Sequence, residues 1–350
     1  MPHLYNLSVN PYPTGLPNVV GTKSFTPTPL ALDDTHFTVG VYQYPAGFYA
    51  GITYRRPGWM TLTSDTTARD YLAAAYDPSA NLTYAIDGYS AGYTSVVTAY
   101  SKASNSWTAL AGDTIARGGL AGAYDSSANL TYAIDGANSS GNLATVTSYS
   151  KASNSWTALA GDTTARDYLT GAYDSSANLT YAIDGYSTAY TSVVTAYSKA
   201  SNSWTALASD TIARGGLAGV YDSSANLTYA IDGYTGSVYT AAITAYSKAS
   251  NSWTSLAGDP TGRDGLAGAY DSSANLTYAI DGYNGDTVPY LIVVTAYSKA
   301  SNSWTGLAGD TTERGNLAAV YDSSANLTYA IDGYNGNIGT YFSVVTGLIY

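Results

Sequence analysis

A single pattern recurs along most of this chain, and it limits the fold more than any other feature of the sequence. Six tryptophans mark the period, at intervals of 48, 49, 48, 49 and 51 residues: Trp59, Trp107, Trp156, Trp204, Trp253 and Trp304. An arginine follows each of them by ten residues. A period of this length, built from short β-like runs, is typical of radially repeated folds. Because such units cannot bury their apolar faces alone, we expect residues 1–350 to form one closed domain.

Each regular unit contains four short runs with alternating β-branched or aromatic residues, bounded by Gly, Asn, Asp or Ser. Examples are the small-residue run Leu120–Tyr124, the LTYAI run Leu179–Ile183, the VVTAY run Val193–Tyr197 and the SWTAL run Ser203–Leu207. Such runs indicate strands. Four short antiparallel strands per unit predict the blade of an all-β propeller, with the small-residue strand innermost, where the blades crowd the axis.

The number of strands predicts the number of blades. Second strands number seven if the divergent run Thr38–Tyr42 is included, and third strands also number seven, ending with Ser343–Tyr350. Fourth strands with tryptophan number six, and the run His3–Val9 could supply the missing one. We therefore predict a seven-bladed ring closed by this N-terminal strand, which leaves no exposed edge. The alternative is a six-bladed ring with an N-terminal appendage.

The same count divides the domain into three segments. Residues 1–27 would form the closing strand and a proline-rich linker, residues 28–63 a divergent first blade, and residues 64–350 six near-identical units. The four runs of the divergent blade would be Leu30–Leu32, Phe37–Tyr44, Phe48–Tyr54 and Trp59–Leu62.

Composition excludes several classes of function. The net charge of −11 argues against binding to nucleic-acid phosphates, which requires a basic face. The absence of cysteine excludes disulfides, thiolate zinc sites and a cysteine nucleophile. No apolar run has the length of a membrane span, so we expect no membrane insertion. The start MPHLYNLSVNPYPTG lacks the basic and apolar segments of a signal peptide, so export would require another route or a leader that has been removed.

The repeat resembles the kelch repeat. Tyr197–Trp204 (YSKASNSW) is similar to the kelch Tyr-Asp-x-x-x-Asn-x-Trp turn, and Ala213 and Arg214 are similar to its Pro-Arg. Thr228–Gly233 (TYAIDG) is similar to the strand that ends in a glycine pair, except that aspartate replaces the first glycine. The resemblance implies a propeller that acts as a binding scaffold, although fold alone does not give function.

The kelch-like copper oxidases related to galactose oxidase need a cysteine-linked tyrosine and histidine ligands. This chain has no cysteine and only two histidines, His3 and His36. We therefore expect no cofactor, no metal site and no enzymatic activity.

Each arginine stands 18 residues before an aspartate, which predicts a ring of ion pairs. The pairs are Arg69/Asp87, Arg117/Asp135, Arg166/Asp184, Arg214/Asp232, Arg263/Asp281 and Arg314/Asp332. The start of strand one lies beside the end of strand two in an antiparallel blade, so each arginine can reach an aspartate of its own or a neighbouring blade. We interpret the ring as a structural collar around the channel mouth, because six identical sites are what a repeat produces. The alternative is a ring of acids and bases for catalysis or cation binding.

Asn-Leu-Thr occurs six times, each time in the turn between strands one and two. The asparagines are Asn81, Asn129, Asn178, Asn226, Asn275 and Asn326. Each is a formal glycosylation acceptor, but asparagine also suits a turn because it tolerates left-handed backbone geometry.

The loops differ between the two faces of the predicted ring. The loops DSSAN and SKASNS barely change from unit to unit, whereas the loops between strands two and three differ in length, charge and aromatic content. The variable loops and the segments entering strand one are rich in tyrosine, and we expect about half of these rings to pack inward and the rest to bind a ligand. The candidate ligand-binding residues are Tyr71, Tyr93, Tyr168, Tyr190, Tyr239, Tyr290 and Tyr341.

These observations favour a non-enzymatic binding or adhesion module that recognises a glycan or a protein partner through the tyrosine-rich face. The alternative is a structural subunit of an extracellular or virion assembly that self-associates through its repeated faces. Low charge and abundant Ser, Thr, Asn and Tyr suit an extracellular or virion-surface location in either interpretation. A polysaccharide-acting enzyme would need an asymmetric pair of carboxylates, and the extra acids are too scattered in sequence to identify one: Asp70, Asp167, Asp264, Asp286 and Glu313.

Overall fold

The structure is a computed structural model that describes residues 36–39, 52–55, 58–286 and 289–350. Regular structure in these residues is entirely β, and six four-stranded antiparallel sheets form the blades of a propeller. No helix of the described residues has the length and apolarity that a membrane span requires. The first strands of the six blades pack against one another in cyclic order, and the first strand of blade 6 packs against that of blade 1.

Each blade runs from an inner first strand to an outer fourth strand. Blade 1 consists of Ala73–Asp77, Leu82–Ile86, Val97–Ser101 and Ser106–Ala109. Blade 2 consists of Ala121–Asp125, Leu130–Ile134, Val146–Ser150 and Ser155–Ala158. Blade 3 consists of Thr170–Asp174, Leu179–Ile183, Val194–Ser198 and Ser203–Ala206. Blade 4 consists of Ala218–Asp222, Leu227–Ile231, Ile243–Ser247 and Ser252–Ser255. Blade 5 consists of Ala267–Asp271, Leu276–Ile280, Val294–Ser298 and Ser303–Gly306. Blade 6 consists of Ala318–Asp322, Leu327–Ile331, Val345–Ile349 and Gly58–Thr61.

Three further two-stranded sheets complete the regular structure of the described residues. Two are small hairpins between strands two and three, in blade 2 (Ala137–Asn138 with Gly141–Asn142) and in blade 6 (Tyr334–Asn335 with Thr340–Tyr341). The third pairs His36–Val39 with Ile52–Arg55.

The prediction of seven blades is wrong, and the six-bladed alternative is confirmed. The run that includes Phe37 belongs to the separate sheet of His36–Val39 and Ile52–Arg55, not to a four-stranded blade. The count failed because alternation shows that a run is extended but not which sheet it joins.

The closing strand is also not the predicted one. Gly58–Thr61 pairs antiparallel with the C-terminal strand Val345–Ile349, with Trp59 opposite Leu348 and Met60 opposite Gly347. Blade 6 is therefore closed by chain from both ends, and Gly58–Thr61 covers the edge that Val345–Ile349 would otherwise expose. The run His3–Val9 lies outside the described residues.

The sequence of the first strands follows from crowding at the axis. In blade 1, Ala73, Ala75 and Asp77 are buried, whereas Ala74 and Tyr76 are half-buried beside an axial cavity. In blade 2 the residue equivalent to Ala74 is Gly122, where an added Cβ would lie 2.8 Å from the Cβ of Ala73. Small residues are required here because neighbouring first strands approach too closely for larger ones.

The tryptophans join neighbouring blades at the outer strands, as the indole of Trp204 illustrates. It is half-buried, its Nε1 donates a hydrogen bond to the carbonyl oxygen of Ala160 at 2.9 Å, and its ring centroid lies 5.4 Å from that of Tyr197. Ala160 lies in the segment that follows the outer strand of the preceding blade. The other five tryptophans donate in the same way to a preceding blade.

Candidate functional site

The antiparallel topology gives the propeller two different faces. The uniform face carries the turns between strands one and two and between strands three and four. The variable face carries the loops between strands two and three and the segments that lead from strand four of one blade into strand one of the next. Every candidate ligand-binding tyrosine lies on the variable face, in one of these two kinds of connection.

Hydrogen bonds within the DSSAN turns explain their constancy on the uniform face. In blade 1, Oδ1 of Asp77 accepts hydrogen bonds from the backbone and hydroxyl of Ser79 at 2.9 and 2.6 Å, and Oδ2 accepts one from the hydroxyl of Tyr84 at 2.9 Å. Asn81 is left-handed, with φ of 51°, and its Oδ1 accepts the hydroxyl proton of Tyr76. The same bonds recur in the other blades, so turn geometry is sufficient reason for these residues.

The asparagines of the six Asn-Leu-Thr sequences are therefore turn residues, and they are exposed. Each has positive φ between 51° and 54°. Glycosylation of these positions stays a prediction.

The SKASNS turns are fixed by contacts between blades. Oδ1 of Asn105 accepts hydrogen bonds from the hydroxyl of Tyr100 at 2.7 Å and from the backbone amide of Thr63 at 3.2 Å. Thr63 lies just after the outer strand of the preceding blade, so this turn joins two blades. The lysine side chain of each turn makes no hydrogen bond or ion pair within the described residues.

The arginine ring lies buried between the blades and does not open at the channel mouth. Arg117 is 0% exposed, and its Nε lies 3.1 Å from Oδ2 of Asp87, which belongs to the preceding blade. Its Nη2 lies 2.6 Å from Oδ2 of Asp113, and its Nη1 donates to the carbonyl oxygens of Asp135 and Thr145. Arg117 thus meets only the backbone of the aspartate 18 residues later, and its ion pair is with the preceding blade.

The other five arginines repeat this arrangement. Nε-to-carboxylate pairs to the preceding blade are Arg69–Asp332, Arg166–Asp135, Arg214–Asp184, Arg263–Asp232 and Arg314–Asp281, at 3.3 to 3.5 Å. Each arginine also binds the aspartate four residues before it, at 2.6 to 2.9 Å: Asp65, Asp162, Asp210, Asp259 and Asp310. Sequence reasoning missed these second partners, although an aspartate four residues before every arginine is visible in the repeat.

Two aspartates per arginine leave one carboxyl group in excess in every unit. Burial, together with the nearby Asp113 carboxylate, raises the pKa of Asp87 well above its ordinary value, against the opposing effect of Arg117. Oδ1 of Asp87 has no hydrogen-bond partner in the described residues. Asp87 also has positive φ of 57°, a conformation that aspartate tolerates better than most residues, and this explains how it can replace the first glycine of the kelch-like pair. The geometry fits a structural role for this ring.

Ten tyrosines form a continuous belt around most of the variable face. Neighbouring ring centroids lie 4.7 to 6.2 Å apart, in edge-to-face or tilted arrangements. In order around the propeller, the belt consists of Tyr186, Tyr190, Tyr234, Tyr239, Tyr283, Tyr290, Tyr334, Tyr341, Tyr89 and Tyr93. Five of these residues were candidate ligand-binding residues, and all ten are half-buried or exposed.

Blade 2 interrupts the belt. The residue that follows the Asp-Gly pair is tyrosine in the other five blades but Ala137 here, and this residue is buried. Nδ2 of Asn142 instead donates hydrogen bonds to the carbonyl oxygens of Tyr186 and Ser187 in blade 3, at 2.8 and 3.1 Å. The belt therefore has two ends, and the variable face lacks the sixfold symmetry of the scaffold.

A shallow cavity of about 80 Å³ lies on the axis inside the belt, and we call it the axial cup. It is lined by one leucine from each blade, Leu72, Leu120, Leu169, Leu217, Leu266 and Leu317, and by the six residues that precede them, Tyr71, Gly119, Tyr168, Gly216, Gly265 and Asn316. Each of these preceding residues has positive φ, between 52° and 65°.

A ring of backbone hydrogen bonds holds these six residues together. The amide of Tyr71 donates to the carbonyl of Asn316, that of Gly119 to Tyr71, and so on around the axis, at 2.7 to 2.9 Å. The cup is not symmetric, because only Tyr71 and Tyr168 carry aromatic rings, which meet edge to face at 5.3 Å. These are the remaining two candidate ligand-binding tyrosines.

Three carboxyl groups flank the axial cup, from Asp70, Asp167 and Asp264 in blades 1, 3 and 5. An added Cβ on Gly119 would lie 3.4 Å from the Cβ of Asp167, and one on Gly216 would lie 3.4 Å from Oδ2 of Asp264. The Asn316 side chain lowers the pKa of Asp70, against the larger effect of burial. The three residues are scattered in sequence, but their constant spacing of 97 residues (70, 167, 264) corresponds to two blades and shows that they occupy equivalent positions.

Burial raises the pKa of all three carboxyl groups. The pKa is about 7 for Asp70 and Asp264 and about 6 for Asp167, and desolvation is the largest cause in each. Asp286 and Glu313 are exposed on the same face. In the described residues, no group of three acidic or histidine side chains is placed to hold a metal ion.

The comparisons with known proteins support the fold alone. No protein-family model and no curated protein sequence matches the chain. The solved structure titled "Structure of YjhT" superposes with a TM-score of 0.66 at 14% identity, over 82% of this chain and 96% of that one. The chain is thus similar in fold to that β-propeller, and the kelch resemblance remains an interpretation of the repeat motifs.

Proposed function

We propose that the protein is a non-enzymatic binding module whose ligand, a glycan or a protein partner, lies on the tyrosine belt of the variable face. The observation that carries this proposal is the belt itself, ten partly exposed rings in mutual contact on one face of a rigid ring. Tyrosine combines a flat apolar surface with a polar tip, which suits stacking on sugars and packing in protein interfaces.

The break at blade 2 also supports the proposal. A scaffold that needed the tyrosines only for packing would retain one at every blade, because the strands of the six blades are nearly identical. With Ala137 in place of a tyrosine, the belt ends beside blade 2, and an asymmetric ligand can be bound in one orientation. The constancy of the uniform face adds nothing to this argument, since hydrogen bonds account for it.

A screen of glycans and protein partners with two matched variants tests the proposal. Changing Tyr239, Tyr290 and Tyr341 to Ser removes the rings, and changing the same residues to Phe removes only the hydroxyl groups. We expect loss of binding in the Ser variant and partial retention in the Phe variant, with the melting temperature near that of the wild type in both.

Two outcomes would overturn the proposal. One is a ligand whose affinity is the same for the wild type and the Ser variant. The other is the absence of any ligand together with concentration-dependent self-association in sedimentation experiments, which would favour the structural-subunit alternative.

A further inference from the structure

Among the aspartates that the structure describes, Asp70, Asp167 and Asp264 around the axial cup stand out because they are withdrawn from water without a counter-charge; Asp70 is buried and the other two are half-buried. The other buried aspartates either belong to the arginine network or, like Asp77, accept hydrogen bonds from hydroxyl and amide groups of their turn. Within the described residues, no lysine or arginine forms an ion pair with Asp70, Asp167 or Asp264. Buried carboxylates without a partner are costly, so they call for a counter-charge.

Asp70 shows the deficit most clearly. It is 2% exposed, and its Oδ1 has no hydrogen-bond partner in the part of the chain that the structure describes. Oδ1 of Asp167 is likewise unpartnered. Both residues are next in sequence to residues that line the cup, Tyr71 and Tyr168, and their unpartnered Oδ1 atoms are shielded from solvent, so a cation in the cup would lie near both carboxyl charges without bonding to those two atoms.

The geometry selects the class of cation. The described carboxyl groups are not clustered closely enough to chelate a metal ion, whereas the N–H groups of an ammonium can point toward separate acceptors. The leucines offer an apolar wall for methylene groups, and Tyr71 and Tyr168 offer ring faces for cation–π contacts. A cavity of about 80 Å³ admits a group the size of a short alkylammonium.

We propose that the axial cup binds an alkylammonium group, whose charge is balanced by the carboxylates of Asp70, Asp167 and Asp264. Two sources share this chemistry, a free polyamine and the lysine side chain of a protein partner. This binding concerns the cup and does not rest on the tyrosine belt. The cup can therefore fail to bind an amine while the belt binds its ligand, and the belt can fail while the cup binds an amine.

The surroundings of the carboxyl groups predict how binding depends on pH. The ionisable groups that face these carboxyl groups are all tyrosines. Asp70 is faced by Tyr71, Tyr168, Tyr290 and Tyr341. Asp167 is faced by Tyr93 and Tyr168, and Asp264 by Tyr71, Tyr190 and Tyr239. These phenols are neutral near pH 7 because the ordinary pKa of tyrosine is 10.0, and burial raises the pKa values of these tyrosines further. An amine should therefore bind more tightly as the carboxyl groups ionise between about pH 5 and pH 8.

The test uses the full chain at about pH 8, where the carboxyl groups are ionised. Spermidine and Nα-acetyl-lysine-N-methylamide are titrated by calorimetry against the wild type, Asp264→Asn and Asp167→Asn. Asp286→Asn is the control, because it removes the same formal charge from an exposed position on the same face. Nα,Nε-diacetyl-lysine-N-methylamide, which has lost the charge, is the control ligand.

We expect saturable binding to the wild type that weakens about 10-fold in each cup variant. It should remain within about 2-fold of the wild type in Asp286→Asn. Binding by spermidine alone identifies a free polyamine as the ligand, and binding by the lysine mimic identifies a partner's side chain. Equal affinities for the wild type and both cup variants, with the fold intact, would overturn the inference, as would the absence of saturable binding to the wild type.

Discussion

Nε of Arg117 lies 3.1 Å from Oδ2 of Asp87, and the two residues belong to different blades. Both side chains are 0% exposed, and the same relation recurs at every junction around the ring. Arg117 also binds Asp113 and makes no contact with water, because it is fully buried. It donates to carbonyl oxygens of its own blade as well, so one buried side chain links two sheets. The propeller is thus held together near the variable face by charge-assisted bonds and at its outer strands by the tryptophans.

The first prediction distinguishes the two aspartates of this network. Asp113→Asn removes the ion pair at 2.6 Å and should lower the free energy of unfolding by about 3 kcal/mol, because it leaves Arg117 short of a buried partner. Asp87→Asn should cost less, about 1 kcal/mol, because burial and the nearby Asp113 carboxylate raise the pKa of Asp87 and so disfavour its ionised form, and because its 3.1 Å contact with Arg117 is longer than that of Asp113. Denaturant unfolding of both variants measures the difference, and equal costs would contradict the assignment.

The second prediction concerns Trp204. Changing it to Ala should lower the free energy of unfolding by about 3 kcal/mol, because the contact with Tyr197 and the hydrogen bond to Ala160 are both lost. Trp204→Phe keeps a ring but not the donor and should cost about 1 to 2 kcal/mol. If Trp204→Ala lowers the free energy of unfolding by less than Trp204→Phe does, the indole does not stabilise the contact between the two blades.

The third prediction concerns closure of the ring. Removal of residues 1–61 takes away the strand Gly58–Thr61 and exposes the edge of Val345–Ile349. We expect a lower melting temperature and aggregation, since an unpaired edge strand can pair with other chains. A truncated protein that is monomeric and melts at the wild-type temperature would show that blade 6 does not depend on this strand.

The fourth prediction concerns pH and the carboxyl groups of the axial cup. Their pKa values in the folded protein, about 6 to 7, lie above the ordinary value of 3.8. The protonated carboxyl groups therefore stabilise the folded protein relative to the ionised ones. This stabilisation is fully present below about pH 4 and is lost as the pH rises through 6 to 7. Each group changes the free energy of unfolding by about 1.4 kcal/mol per pH unit within that window.

A triple variant isolates this contribution. With Asp70, Asp167 and Asp264 all changed to Asn, unfolding should depend less on pH between about 4 and 7, and the variant should be more stable than the wild type at about pH 8. Parallel pH profiles for the two proteins would mean that the three carboxyl groups are not desolvated.

Much of the fold follows from the sequence, because the strands repeat with clear alternation and each is bounded by turn residues. LTYAI runs form second strands in all six blades, and the small-residue runs lie at the axis. The number of blades did not follow, because strand pairing depends on contacts that are distant in sequence. Gly58–Thr61 joins a blade formed almost 300 residues later, and nothing in the local pattern predicts this partner.

The site was predictable only in part. The tyrosine-rich loops identify the variable face, since loops lie on the surface and their content is visible in the sequence. Asp70, Asp167 and Asp264 looked scattered because linear order hides the equivalence of alternate blades. Their constant spacing of 97 residues is the signal that could have revealed them.

The central claim is that binding belongs to the variable face, and a comparison of the two faces tests it most directly. The variant with Tyr239, Tyr290 and Tyr341 changed to Ser is measured beside one with Lys199 and Lys248, exposed on the uniform face, changed to Gln. Affinity for the ligand from the screen should fall at least about 10-fold in the tyrosine variant and stay unchanged in the lysine variant. Loss of binding in the lysine variant with full affinity in the tyrosine variant would contradict the account and place the site on the uniform face.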